Sequence, residues 1–304
     1  MFHVEHSIMH THNYCPVCKS SSFTPFITCK DYTLSQESFN IVSCSTCNFK
    51  FTNPIPELSE LGKYYKSEDY ISHSNTKKGL ISQLYHMVRS YTLRGKLKLV
   101  SKYVAKGAIL DYGSGTGMFL NECDKHGWRT YGMEPDAGAR AIANAYALKV
   151  KESKAELIKS FPEARFNAIT LWHVLEHVTD LDDTLKFFKE RLSTEGVLII
   201  AVPNYTSFDA KHYKEFWAAY DVPRHLYHFD KNSVSQLLNN FDFELVETKA
   251  MKFDSFYVSM LSEKYMTGKI NYLSAFFNGL RSNLKAKTSA NYSSVIYVFK
   301  LRTK

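Results

Sequence analysis

Ala108-Ile109-Leu110-Asp111-Tyr112-Gly113-Ser114-Gly115-Thr116-Gly117-Met118-Phe119-Leu120 places an apolar run, a glycine-rich turn and the opening of a helix one after another. Glycines let a chain turn sharply and bring its backbone close to a ligand, because a Cβ there would fill the ligand's volume. The next apolar run ends in Tyr131-Gly132-Met133-Glu134-Pro135-Asp136, so Glu134 follows Asp111 by 23 residues. That is near the ~20 expected for a carboxylate that grips ribose hydroxyls at the tip of a second strand. Outward from this core, apolar runs recur at 109–112, 130–133, 149–151, 168–172, 197–202, 243–250 and 294–301, separated by stretches of helical spacing. Strands alternating with helices predict an α/β fold, a parallel sheet with helices on both faces. More than forty residues part the last two runs, too many for a bare loop, which predicts a helical insertion at about 254–292.

Ahead of this domain, placed at 106–304, the pattern is different. Residues 1–13 carry four of the twelve histidines without periodicity and read as a disordered tail. Residues 14–52 alternate short β-like runs at 23–28, 39–42 and 49–52 with cysteine pairs, and Asn53-Pro54-Ile55-Pro56 marks a boundary. Residues 53–105 read as a helical linker or lid rich in Tyr and Lys. Four of the six cysteines form the pairs Cys15-Pro16-Val17-Cys18 and Cys44-Ser45-Thr46-Cys47, 25 residues apart. A two-residue gap lets both thiolates of one turn reach the same tetrahedral ion, so two such turns make a closed structural zinc site in a small β module. The module has little apolar material of its own, and zinc would supply much of its folding energy. The competing reading is a pair of disulfides; Cys29 and Cys123 read as ordinary buried thiols.

The composition of the 304 residues, 44% hydrophobic and 22% charged with 13 Gly and 8 Pro, excludes collagenous, low-complexity and disordered classes. The purest apolar run has six residues, far short of the ~20 that span a bilayer, and no basic flank leads into an apolar N-terminus. No membrane insertion and a cytoplasmic location are the expectations. Of the net charge of +8, most is C-terminal: residues 250–304 carry nine basic and two acidic groups. A solvated surface and an anionic partner such as RNA both fit that excess.

Two histidine segments carry chemistry, His173-Val174-Leu175-Glu176-His177 after the fourth strand and Pro223-Arg224-His225-Leu226-Tyr227-His228-Phe229 after the fifth. Ligands of open α/β sheets bind outside the carboxyl ends of strands, where these segments could face each other. A neutral imidazole suits removal of a proton from a hydroxyl or an activated carbon. His177 and His225, with His228 beside them, are the candidate bases; histidines that only bond backbone carbonyls are the plainer reading. A third reading is a metal site, with His173, Glu176 and His177 on one helical face and His228 completing it. Arg224 is a candidate partner for a substrate carboxylate or phosphate.

The pattern Asp111-x-Gly113-x-Gly115-x-Gly117, Glu134, the segment 166–178 and the segment 196–204 together resemble the class I S-adenosylmethionine-dependent methyltransferases over about residues 105–304. That resemblance implies a Rossmann-like sheet in which Asp111, Gly113, Gly115 and Gly117 lie beside the methionine part of S-adenosylmethionine. It further implies that Glu134 holds the ribose and that Trp172 and His173 line the pocket. Asn167 stands where relatives usually have Asp. The four-cysteine module with the Leu-Glu-His-Val and His-Leu-x-x-Phe motifs is similar to sugar C-methyltransferases, whose matching histidines sit at the reacting sugar. Arg224 replaces their acidic residue, and their further C-terminal domain is not expected within these 304 residues. Some RNA 3′-end and polyprenyl-quinone methyltransferases have a Glu-x-x-Glu-His motif and a later histidine, where this chain has His173 for the first Glu. The resemblance implies methyl transfer to an oxygen or carbon of a small molecule such as a sugar, lipid or secondary-metabolite precursor. An rRNA methyltransferase and a non-catalytic zinc-containing binding protein on the same fold are the alternatives.

Overall fold

In this computed structural model residues 9–65 and 80–302 are described. The first eight residues of the expected tail and residues 66–79 of the expected linker lie outside the described residues. From the N-terminus, β1 (Met9–His10) pairs antiparallel with β5 (Ile55–Pro56). Residues 9–13, expected to belong to the tail, are held by this pairing and by Asn53, which accepts from His12 N at 2.9 Å and donates to His12 O at 3.1 Å. An amide side chain that bonds both backbone groups of one residue copies a strand's pairing, a device with no periodicity to read.

β2 (Phe23–Lys30), β3 (Ser38–Cys44) and β4 (Lys50–Thr52) form an antiparallel meander. Its outer neighbour comes from far along the chain: β11 (Tyr227–His228) pairs with β4, so the sheet order is β11-β4-β3-β2. A 3-10 turn (Leu61–Tyr65) and α1 (Leu80–Tyr103) then lead to the second sheet.

That sheet has seven strands: β6 (Ala108–Tyr112), β7 (Arg129–Met133), β8 (Val150–Lys151), β9 (Phe166–Trp172), β10 (Leu192–Pro203), β12 (Phe243–Ala250) and β13 (Ser294–Leu301). Their order is β12-β13-β10-β9-β6-β7-β8, with only β13 antiparallel to its neighbours. The α/β expectation holds. Successive residues of its central strands enter opposite cores: Leu110, Ile169, Leu198 and Ile200 pack on one side, and Ile109, Ala168, Val197 and Ile199 on the other. Helices cover both faces, which is why β10 reads as an unbroken apolar run instead of an alternating one. Asn167 Oδ1 accepts from Ala108 N at 2.9 Å, so the departure from Asp serves the start of β6.

The connections are α2 (Met118–Lys125), α3 (Ala137–Asn144), α4 (Lys154–Ser160), α5 (Leu181–Arg191), α6 (Phe208–Tyr213) and α7 (Lys231–Asn239). α8 (Asp254–Thr267) and α9 (Tyr272–Ser289) form a hairpin between β12 and β13. Asp136, Ser153, Asp180 and Ser207 each cap a helix by accepting from an amide three residues on.

Candidate functional site

β6 delivers the chain into turn 113–117, where φ is +77° at Gly113, +53° at Gly115 and +74° at Gly117. The amides of Gly113 and Ser114 donate to Met133 O at 2.8 and 2.9 Å, fixing the turn to the end of β7. A Cβ on Gly113 would lie 2.4 Å from Val174 Cγ2, and one on Gly117 2.8 Å from Ala143 Cβ. Glycine is needed there for space as well as for backbone conformation. At Gly115 a Cβ would meet nothing within 4 Å, and its amide donates to Glu134 Oε2 at 2.7 Å. Glu134 Oε1 accepts from Asp136 N at 2.9 Å. Burial raises the Glu134 pKa while these two amides oppose it. A carboxylate offers about four acceptor sites, so both oxygens keep capacity for further donors.

Asp111 is 2% exposed and accepts from Thr170 Oγ1 at 2.6 Å. Burial pushes its carboxyl up to about 7, against the Thr170 hydroxyl and the Lys96 ammonium, which favour the charged form. Lys96 reaches in from α1, with Nζ 4.3 Å from the Trp172 ring centroid, and faces Asp111 and Asp254. Burial lowers its pKa. Ser114 Oγ and Trp172 Nε1 are buried without a hydrogen-bond partner. Orphaned polar atoms beside a glycine that faces open space fit a polar ligand at the carboxyl ends of β6, β7 and β9. Sequence reasoning missed Lys96: α1 also carries Lys98 and Lys102, and only packing singles one out.

The histidines gather at the end of β9. His173 has φ +59°, and its Nε2 lies 3.0 Å from Asp254 Oδ2 and its Nδ1 3.4 Å from Glu176 Oε1. Burial disfavours its charge, but the two carboxylates outweigh burial and raise its pKa to about 10. The ring expected to line the pocket is thus a cation held between two anions. The expected helical face does not form, because Leu175–His177 is a single 3-10 turn and His173 precedes it in left-handed backbone. His225 joins Glu176 and His177 instead, with one ligand atom of each lying within 4.8 Å of the others.

The His177 and His225 ring centroids are 4.5 Å apart. His177 Nδ1 is 3.0 Å from Arg224 O and 3.0 Å from the Tyr65 hydroxyl, and His225 Nδ1 is 2.9 Å from Ala219 O. A carbonyl only accepts, so each Nδ1 carries a hydrogen, and His225 Nε2 lies 3.9 Å from Asp221 Oδ2. Burial, with His225 adding to it, lowers the His177 pKa to about 4. Glu176 is 1% exposed, and neither carboxylate oxygen has a hydrogen bond. Burial would raise its pKa, yet His173 and the two other imidazoles bring it down.

His228, the third expected base, is placed elsewhere. On β11 it is 4% exposed with Nε2 3.1 Å from Thr52 Oγ1, while the Thr52 hydroxyl donates to His225 O at 2.8 Å. The Thr52 oxygen therefore accepts from His228, which acts as a prop behind His225. Arg224, expected to meet substrate, is 1% exposed and bonds this chain's own Asp31 at 2.9 Å, Asp221 at 2.6 Å and Tyr64 O at 3.0 Å. Burying a guanidinium requires such partners.

The four cysteines converge on one point. Cys15 Sγ and Cys47 Sγ are 3.5 Å apart, as are Cys18 Sγ and Cys44 Sγ, and none of the four is in a disulfide. The two turns are alike: Lys19 N donates to Cys15 O and Asn48 N to Cys44 O, and φ is +61° at both Lys19 and Asn48. Burial would raise the Cys44 pKa, but amides of Cys47 and Thr46 outweigh it and bring it to about 7. At Cys15 and Cys47 burial outweighs the turn amides and raises the thiols, so it is the convergence of four sulfurs that suits a tetrahedral soft metal.

A mostly parallel seven-stranded sheet, one antiparallel strand beside β10, and a strand, glycine turn and helix at its centre define a Rossmann-like methyltransferase. The methyltransferase-domain family model matches residues 85–248, and the chain belongs to that family. It is an S-adenosylmethionine-dependent methyltransferase. Among solved structures, the O-methyltransferase of a trans-AT PKS multienzyme from Brevibacillus brevis is 13% identical, with 73% of this chain and 76% of that one covered at a TM-score of 0.49. Magnesium protoporphyrin IX methyltransferase from Synechocystis PCC 6803 is 10% identical over 81% and 96%, with a TM-score of 0.48. A SAM-dependent methyltransferase from Archaeoglobus fulgidus is 17% identical over 70% and 94%, with a TM-score of 0.46. A search of curated proteins found no match to this chain.

Proposed function

We propose that this enzyme methylates an oxygen or carbon nucleophile of a small molecule, and that the His177/His225 pair takes the acceptor's proton. The pair itself carries the reading: two imidazoles 4.5 Å apart, each with Nδ1 committed to a carbonyl, leave Nε2 of the neutral His177 at the end of β9 and set His225 Nε2 3.9 Å from Asp221. S-adenosylmethionine, when bound, supplies an electrophilic methyl on a sulfonium. Turn 113–117 and Asp111 would hold its methionine part, Glu134 its ribose hydroxyls, and Trp172 the pocket wall. The unpartnered Ser114 Oγ and Trp172 Nε1 and the open space at Gly115 support that fit. His177, kept neutral at pH 7 by burial, accepts a proton as the acceptor's charge develops. His173 and Glu176 hold a fixed charge pair behind it. Alignment of the two reactants supplies most of the acceleration.

Cys15, Cys18, Cys44 and Cys47 would hold one structural zinc, closed to substrate, supported by four sulfurs within 4.8 Å of one another.

Acceptors are found by screening with methyl-labelled cofactor, and the assignment is then tested by substitution. His177→Ala and His225→Ala should each lower kcat by about 100-fold or more while calorimetry shows cofactor affinity unchanged. Unchanged kcat in both variants would remove the base from the proposal. Glu134→Ala should instead abolish cofactor binding. A second reading is favoured by the Glu176 carboxylate, whose two oxygens make no hydrogen bond and which has one oxygen within 4.8 Å of a ring nitrogen of His177 and of His225. Carboxylate and imidazoles of this kind also hold a divalent cation that polarises an acceptor hydroxyl. Activity lost on chelation and restored by magnesium or manganese selects that reading; activity indifferent to chelators selects the proton acceptors.

A further inference from the structure

Helix α9 is built inside out. Its buried positions are Ala275, Gly279, Ser282 and Ala286, all small: Ser255 Oγ of α8 donates to Gly279 O at 3.1 Å, and Ser282 Oγ donates to Asp209 Oδ1 of α6 at 2.6 Å. A Cβ on Gly279 would lie 2.8 Å from the Phe256 ring, which shows how closely the two helices approach. The large apolar side chains face the other way. Leu273, the adjacent Phe276 and Phe277, Leu280 and Leu284 recur one helical turn apart, and they are 73%, 53%, 63%, 37% and 51% exposed. An ordinary surface helix buries that stripe and shows its small and polar residues to water. Asn283 Nδ2 donates to Lys252 O at 2.8 Å, which sets the second half of α9 beside the exposed Phe253 at the root of α8.

The charge around the stripe has one sign. Lys269, Arg281, Lys285 and Lys287 are all exposed. The two acidic residues of segment 250–304 turn to other partners: Asp254 to His173, and Glu263, 3% exposed, to Tyr213 and Ser274. An apolar stripe edged by cations, with no exposed carboxylate among its neighbours on the hairpin, matches the boundary between acyl chains and anionic headgroups. Among the described residues no helix is long and apolar enough to cross a membrane, so α9 would lie along that boundary. RNA is the poorer match, because Leu273, Leu280 and Leu284 offer nucleobases no aromatic face.

We propose that the outer face of the α8–α9 hairpin docks this enzyme on an anionic lipid surface. Leu273, Phe276, Phe277, Leu280 and Leu284 enter the headgroup–acyl boundary, and Lys269, Arg281, Lys285 and Lys287 pair with lipid phosphates. α8 starts at Asp254, which bonds His173, so docking brings the histidine site close to the lipid surface and within reach of an acceptor carried there. That last step rests on the proposed function; the docking does not.

The test is co-flotation of the full chain with vesicles of phosphatidylcholine alone and of phosphatidylcholine mixed with phosphatidylglycerol. The mixed vesicles should carry the protein, the neutral ones far less, and added salt should release it. Phe277→Ser with Leu280→Ser should weaken association by about tenfold or more. Lys269→Glu with Lys287→Glu, both at exposed positions, should do the same and guards against a folding defect in the apolar variant. Cofactor affinity should be unchanged in both, which separates docking from the methyl-transfer reading. Four results overturn the proposal: no association with mixed vesicles, equal association with neutral ones, association that survives both double substitutions, or a dimer in sedimentation that the apolar substitution dissolves. Tighter retention on an RNA homopolymer than on the mixed vesicles, lost in the lysine variant, reassigns the face to RNA.

Discussion

Burial pushes the Asp111 carboxyl up to about 7, although the Thr170 hydroxyl and the Lys96 ammonium both favour its charged form. The proposed cofactor brings an ammonium and a sulfonium to this residue. Positive charge placed there lowers the pKa again, so binding should release a proton whenever Asp111 is protonated beforehand. Affinity for S-adenosylmethionine should therefore tighten as pH rises toward 7, by up to about tenfold per unit, and level off above it. Asp111→Asn should bind more weakly and lose the slope, which calorimetric titration from acid to mildly alkaline pH would show; a flat wild-type profile contradicts the assignment. Asp111 and Glu134 were legible in the sequence because a glycine turn and a strand tip fix where they stand. His177 and His225 were legible as members of two motifs. Their meeting with Glu176 was not, since it depends on how residues 221–226 fold back over the end of β9. His228 stands only three residues beyond His225, yet pairing of β11 with β4 turns its ring to Thr52. Spacing alone does not carry that information.

At the scale of elements, turn 113–117 and α1 make opposite predictions for one substitution. Gly113→Ala adds a Cβ 2.4 Å from Val174 Cγ2 at a φ of +77°, so both space and backbone oppose it. It should cost about 1–3 kcal/mol in denaturant unfolding, and it should weaken cofactor binding by shifting Val174 and the histidines after it. Gly95 lies in the interior of α1, is exposed, and a Cβ there meets nothing within 4 Å. Gly95→Ala should instead stabilise by about 0.5–1 kcal/mol, since alanine loses less backbone freedom in a helix. The central strands of the large sheet were readable to within a few residues because β6, β9 and the second half of β10 are apolar runs. Residues 192–196 of β10 were not, for only Leu192 pairs with β9 before an irregularity that ends at Val197, and the stretch carries Ser193, Thr194 and Glu195. The outward stripe of α9 was equally hidden: its spacing announces a helix, while the buried direction is set by the close fit of Gly279 on Phe256.

Across the whole molecule, the cysteine module and the methyltransferase sheet are joined through the histidine site. β11 closes the module's sheet two residues after His225, Thr52 of β4 donates to His225 O, and Arg224 bonds Asp31, Asp221 and Tyr64 O from three different segments. Arg224→Ala leaves Asp31, 1% exposed, without its cation and should cost about 3–5 kcal/mol. Arg224→Lys should restore little of this, because one ammonium cannot serve three acceptors set around a planar fork. The same connectivity decides what the proposed zinc does. Were the module independent, stripping zinc would melt residues 14–52 alone, and calorimetry would show a small early transition ahead of the main one. With β11 as its edge strand, the loss should spread: removal by a strong chelator, or Cys44→Ser, should lower the main transition itself and slow methyl transfer through displacement of His225. Binding of S-adenosylmethionine should suffer less, because the hydrogen bonds that hold turn 113–117 and Glu134 run to Met133 O, Gly115 N and Asp136 N. Two separate transitions with unaltered kcat would show that the module only accompanies the enzyme.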